Sequence, residues 1–219
     1  LRPNRLGIKV DNLFSSVHFD TESIRSQSAW VRGVNTCLSK EISVEEAITV
    51  PEEFDARKSA LSRRYIYLIS NRKNPSPLMS QYFAHESRLL NCDAMHEAGQ
   101  NLLGENDFTS FRASNCQSLS PMRNLMNLSV SRIKDIVLID VTANAFLQHM
   151  VRNISGALIE VGLNRKSSSW LEELLNEKNR NLAPRTAPPN GLFLVDVTYP
   201  ESMGIPVGPN SPHFFQLFV

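Results

Sequence analysis

Three short segments place polar side chains where apolar neighbours should surround them, and each carries groups able to do chemistry. In Arg63-Arg64-Tyr65-Ile66-Tyr67, two guanidiniums stand beside a tyrosine whose hydroxyl can serve as an acid or a base. A core tyrosine with a hydrogen-bonded hydroxyl is the plainer alternative. In 147–161, His149 and Arg152 fall on the helix face opposite an apolar stripe, and Gly156, one turn on, leaves room for something to approach the backbone. Solvent exposure would explain the same pattern. The third segment, 104–112, is a glycine followed by a polar loop with Phe108 and Phe111. It ends in Arg112, a guanidinium suited to bidentate phosphate contact, unless the loop is merely packed.

The elements that must position these groups follow from hydrophobic periodicity. Short strands are predicted at 6–10 and 14–19, a helix over 24–38 with Ala29, Trp30, Val34 and Leu38 at helical spacing, and a strand over 42–50 that ends before Pro51. The strand 64–69 is apolar on both faces and so reads as central, with Ile66 and Leu68 beneath helices and Tyr65 opening on the site. A helix over 95–103 stops at Gly104, and 127–131 with 136–142 form a hairpin around Lys134-Asp135. The strongest helical pattern is 147–161, with Met150, Ile154, Ala157, Leu158 and Val161 on one stripe. A helix over 170–175 with serine caps at 167–169 and a strand over 192–197 complete the pattern. Strands pair with one another and helices lie between groups of strands, which predicts an α+β fold.

The 219 residues are 42% hydrophobic and 21% charged, which excludes a disordered chain, a collagen or a disulfide-knotted miniprotein. No run of about 18 apolar residues occurs, and 1–5 lacks the apolar core of a signal peptide, so the expectation is a cytoplasmic protein without a membrane partner. Cys37, Cys92 and Cys116 stand far apart and the five histidines are scattered, so no metal site is expected. The net charge of +1 conceals segregation. Residues 41–55 carry only acids, whereas 57–73 carry Arg57, Lys58, Arg63, Arg64, Arg72 and Lys73 with no acid, and 108–134 carries Arg112, Arg123, Arg132 and Lys134 with no acid. Basic segments interleaved with Tyr65, Tyr67, Phe108 and Phe111 suit a polyanion that also offers bases for stacking. Solvated faces balanced by the acidic stretch are the alternative.

Six segments then resemble, in order and spacing, the TruA-type tRNA pseudouridine synthase family: VHFD (17–20), RGVN (32–35), EEFDARKSALSRRYIYLI (52–69), LLGENDFTSFRA (102–113), ANAFLQHMVRNISGALIEVG (143–162) and GLFLVDVTYP (191–200). The resemblance covers nearly all of 14–200. It implies a central antiparallel sheet flanked by helices and two related lobes around a basic cleft, which here would be 1–89 and 90–219 of one catalytic unit. It further implies a homodimer and isomerisation of uridines 38, 39 and 40 in the tRNA anticodon stem-loop without a cofactor. Tyr65 matches the tyrosine that stacks near the target base and assists proton movement at C5. Arg152 matches the arginine that pairs with the catalytic aspartate, and Arg57, Arg63, Arg64 and Arg112 match segments that line the RNA cleft. One departure stands against these matches. The family's Arg-Thr-Asp-Ala-Gly-Val-His loop, which bears that aspartate, has no counterpart before Val17, and Asp11 would correspond only to the end of the first strand. The expectation is a missing segment at Asp11-Asn12, with a chain break there and with Arg152 awaiting its aspartate. A non-catalytic tRNA-binding or RNA-folding protein of the same fold is the alternative.

Overall fold

The computed structural model describes residues 4–11 and 15–205. The expected break at Asp11-Asn12 therefore lies outside the described residues. By their contacts the residues form two compact units, 1–63 with 194–219, and 64–193. The boundary expected at residue 90 falls inside the second unit, just ahead of its first helix.

In the first unit, β1 (Asn4–Asp11), β2 (Ser15–Thr21) and β3 (Ser43–Thr49) form an antiparallel sheet in the order β2-β1-β3. Helix α1 (Gln27–Asn35) starts at Ser26, whose hydroxyl accepts the Ala29 N–H at 3.2 Å, so it is shorter than its apolar spacing suggested. It packs on β3: Trp30, Val31, Val34 and Leu38 cover Val44 and Ala47, with the Trp30 ring edge-on to Phe19 at 5.4 Å. Asn35 locks the helix to the strand by accepting the Val44 N–H at 2.6 Å and donating to the Val44 carbonyl at 2.9 Å. A second cluster gathers Val50 and Phe54 around Tyr199.

The larger sheet runs β5-β4-β8-β7-β6, and β9 also pairs with β4. Its strands are β4 (Ser62–Ser70), β5 (Ala84–His85), β6 (Gly104–Asp107), β7 (Met122–Ile133), β8 (Ile136–Ala143) and β9 (Leu192–Thr198). The pairs β6–β7 and β7–β8 are antiparallel and the two-residue β4–β5 contact is parallel, so the fold is α+β with a mostly antiparallel central sheet, as expected. The hairpin turn falls at Lys134-Asp135, with Lys134 at φ 52°. Helices α2 (Cys92–Gln100), α3 (Met150–Gly162) and α4 (Trp170–Glu177) cover one face. Gly162 permits the contact between α2 and α3, because a Cβ there would stand 2.5 Å from the Met95 sulfur.

Several elements depart from their sequence reading. Gly104–Asp107, read as loop, is an edge strand held by backbone pairing to β7, which its poor β-formers conceal. β7 starts at Met122 rather than Asn127, because a register shift between Leu125 and Asn127 breaks the alternation. α2 starts at Cys92, capped by Asn91, whose side chain accepts the Ala94 N–H at 3.1 Å. The serines before α4 do not cap it through a side chain: the Ser169 hydroxyl bonds Ser167 and Glu173 instead. Among the described residues no helix is long and apolar enough to cross a membrane.

Asn71, 6% exposed at the end of β4, fastens the segment that leads into α2. Its Oδ1 accepts from the Leu90 N–H (3.0 Å) and Arg132 (2.8 Å), and its Nδ2 donates to the carbonyls of Glu86 and Arg88. Asn71→Ala strands these groups and should lower unfolding free energy by about 2–4 kcal/mol. A denaturant midpoint equal to that of the parent protein would show that the knot carries no stability.

Candidate active site

Strand β4 alternates as predicted, but its faces are exchanged. Tyr67 and Ile69 join the cluster built with Met95 of α2, Ile154, Ala157 and Leu158 of α3, and Leu171 of α4. Tyr65 lies half-buried against the same cluster. It is thus the tyrosine face, and not the face of Ile66 and Leu68, that meets the helices, because side chains two apart on a strand must share one side. Ile66 and Leu68 are nonetheless buried, so the strand is covered on both sides as a central strand should be.

Tyr65 meets Phe146 edge-to-face, with ring centroids 5.1 Å apart and planes at 87°. Tyr67 is fully buried and donates its hydroxyl to the Pro188 carbonyl at 2.9 Å. Burial drives the Tyr67 phenol well above its ordinary value, and the Arg152 charge opposes this only in part. The Tyr67 hydroxyl therefore stays protonated and serves as a donor, and it is this second tyrosine that stands in the field of Arg152.

Arg152 projects from the first turn of α3 and is half-buried. Its Nε donates to the Ala187 carbonyl at 2.8 Å, while its own backbone carbonyl accepts the Ala187 N–H at 3.2 Å. Among the described residues no carboxylate pairs with it. Gly156 does what its position suggested: the backbone of 185–187 crosses the helix there, so close that a Cβ would lie 2.6 Å from the Arg185 carbonyl oxygen. His149 is exposed and enters the helix in a left-handed conformation, at φ 60°.

Sequence reading missed the polar group beneath Arg152. Asn153, 1% exposed, donates to the Phe111 carbonyl at 2.7 Å, and its Oδ1 accepts from Thr186 Oγ1 (2.7 Å) and Arg180 Nη2 (3.1 Å). The one available signal was an asparagine interrupting an apolar helix, which demands a partner.

Of the four arginines expected on RNA, Arg57 is exposed. The guanidinium of Arg63 bonds the carbonyls of Ala60 (3.0 Å) and Arg57. Arg64 forks onto Asp140 of the neighbouring strand β8, with Nε to Oδ1 at 2.9 Å and Nη2 to Oδ2 at 2.5 Å. Arg112 donates to the carbonyls of Cys116 (2.7 Å) and Ser118 (2.6 Å), folding the loop after Phe111 back on itself. In that loop burial raises the Cys116 thiol, but the N–H groups of Gln148 and Ser118 and the Arg112 charge outweigh it and hold the thiol below its ordinary value.

Arg152 of α3, the Tyr65–Phe146 ring pair and the buried Tyr67 of β4 thus stand together against one mixed sheet, and comparison with known proteins gives the class of protein to which they belong. Residues 98–200 match the family model described as tRNA pseudouridine synthase. The tRNA pseudouridine synthase A of Aliivibrio salmonicida is 50% identical over 198 residues, spanning 90% of this chain and 76% of the relative. Those of Vibrio campbellii and Actinobacillus succinogenes are 49% and 50% identical, over 90% of this chain and 75% of each relative. The chain belongs to the tRNA pseudouridine synthase family.

Two outcomes follow from this geometry. Arg64→Ala leaves the Asp140 carboxylate, in a residue 8% exposed, without its fork and should cost about 2 kcal/mol, against less than about 0.5 for Arg57→Ala. Equal stability of the two variants in urea would refute that division. Because the folded-state value of Tyr67 lies above the unfolded value of 10.0, its contribution is complete below that pH and is lost as pH rises beyond it. Tyr67→Phe should therefore flatten the alkaline fall in stability; a slope unchanged from the parent above pH 10 would exclude Tyr67 as its source.

Proposed function

We propose that this protein is an isomerase that converts uridine to pseudouridine at positions 38, 39 and 40 of the tRNA anticodon stem-loop, working without a cofactor as a cytoplasmic homodimer. The observation that carries the reading is Arg152: a half-buried guanidinium whose Nε is held by Ala187, next to Tyr67 and on the sheet face of Tyr65. A charge in that setting calls for an anionic partner. In the family that partner is the aspartate of the Arg-Thr-Asp-Ala-Gly-Val-His loop, which the resemblance places between β1 and β2 and which residues 12–14 do not contain.

The reaction breaks the bond from uracil N1 to C1′, turns the base, and forms a bond from C5 to C1′. The C5 proton is then released and N1 gains one, so composition is unchanged. A carboxylate acting at C1′ must be ionised, and a neighbouring guanidinium favours that form. The edge-to-face pair of Tyr65 and Phe146 offers an aromatic surface for a base taken out of its stack. Tyr67 is not the base that removes the C5 proton, since its burial keeps it protonated; Tyr65 is assigned to assist that transfer.

For RNA attraction the exposed cations are the productive ones. Arg63, Arg64 and Arg112 spend donors on the protein itself, whereas Arg57, Lys58, Arg72 and Lys73 are exposed. Arg57→Gln with Lys58→Gln should weaken tRNA binding and reduce the slope of log affinity against log salt by up to about 2.

The test of the whole reading uses the full-length protein and tRNA carrying tritium at uridine C5. Tritium should appear in water, and Arg152→Ala should slow its release by at least about 100-fold while tRNA still binds. Salt-sensitive binding of tRNA with no tritium release would instead establish the non-catalytic binding protein.

A further inference from the structure

We propose that Thr186 and Asn153 are positioning residues that set the orientation of Arg152 through the strap 183–189. The proposal rests on the reading of Arg152 as a catalytic group. A guanidinium presents two edges that can donate in parallel, the side formed by Nε and one Nη and the end formed by Nη1 and Nη2. Here Nε is committed to the Ala187 carbonyl at 2.8 Å, so only the end formed by Nη1 and Nη2 is left to take a carboxylate with two parallel bonds. The place of that end is then decided by where Ala187 is held.

Ala187 has no regular secondary structure to hold it. It is fixed by its own N–H, which donates to the Arg152 backbone carbonyl at 3.2 Å, and from both sides along the chain. On one side Thr186 Oγ1 donates to Asn153 Oδ1 at 2.7 Å and accepts from Arg180 Nη2 at 3.1 Å, while Arg180 Nη1 grips the Pro184 carbonyl at 2.9 Å. On the other, the Pro188 carbonyl accepts the Tyr67 hydroxyl at 2.9 Å. Asn153 is itself oriented by its bond to the Phe111 carbonyl, so its oxygen can face only the strap. Gly156 supplies the close approach that all of these bonds require. Every fixed point of the strap is thus on α3, on β4 or in the turn that follows α4, and the strap returns that rigidity to one side chain of α3. Displacements of about 1 Å at a reacting centre cost rate, not affinity.

The experiment measures tRNA kinetics and melting temperature of the full-length protein carrying Thr186→Val, which keeps the shape and removes both hydrogen bonds. The expected result is a fall in kcat of about 10-fold or more with KM for tRNA within about twofold of the parent. Thr186→Ser should restore kcat. In an Arg152→Lys background, where no Nε–H edge exists for the strap to hold, Thr186→Val should add little further loss. Gly156→Ala, which pushes the strap off the helix, should reproduce the kcat effect and serves as an independent variant should Thr186→Val fold poorly. A lowered melting temperature with unchanged kcat, an equal loss in both Arg152 backgrounds, or no rescue by serine would overturn the positioning role. Full activity of Arg152→Lys and Arg152→Ala would instead refute the catalytic reading of Arg152 itself, whatever Thr186→Val does.

Discussion

The interaction on which the irregular parts of this structure depend is a guanidinium donating to a backbone carbonyl. Arg63, Arg112, Arg123, Arg132, Arg152 and Arg180 each spend donors in this way on non-repetitive chain, at Ala60, Cys116 and Ser118, Ser120, Leu90, Ala187 and Pro184. Loops and connections leave carbonyls without a ladder partner, and each must be satisfied. A rigid fork of five donors can gather several at once. Desolvation draws Arg123 and Arg180 below their ordinary values, yet a carbonyl, unlike a carboxylate, does not cancel the charge it binds. The fold is thereby stapled by cations that remain cations. For a protein of a tRNA-acting family this gives one residue type two uses, holding irregular chain and sustaining the positive potential that a polyanion meets.

That double use explains where sequence reading succeeded and where it went astray. The acid-free windows were legible, and so was their arginine content. Not legible was which of those arginines also hold the chain itself, because their partner is a backbone carbonyl, which every residue possesses and no pattern marks. Arg64 pairs with an acid, and its partner Asp140 lies 76 residues away, in the middle of a strand whose apolar alternation gave no warning of a buried carboxylate. By contrast α3, β4 and β8 were legible because long periodic stretches leave one solution. The four residues of β6 were not, since their strand character comes entirely from β7 beside them.

The candidate site divides along the same line. Tyr65, Arg152 and the close approach at Gly156 could be read from local spacing and family resemblance. The strap could not. Thr186 and Asn153 are 33 residues apart, and the threonine stands in a proline-rich connection that reads as a mere linker. Long-range side-chain bonds between elements with no shared periodicity are invisible until the chain is folded, and here they surround the residue of greatest chemical interest.

The composition of the first unit from the two ends of the chain has a consequence for the order in which the protein comes into being. Residues 64–193 can complete their own unit as soon as they are made, with the β7–β8 hairpin as its most local pairing. The Phe54 cluster cannot, because it needs Val197 and Tyr199, and the Tyr199 hydroxyl closes onto the Ala56 carbonyl across 143 residues. In the second unit the bond from Leu68 to Gly191 already sets the two chain ends of that unit side by side, which shortens the loop that the last closure must bridge. On a translating ribosome, then, the segment synthesised early stays unfinished until a late strand arrives, and Phe54 spends that interval without its shelter.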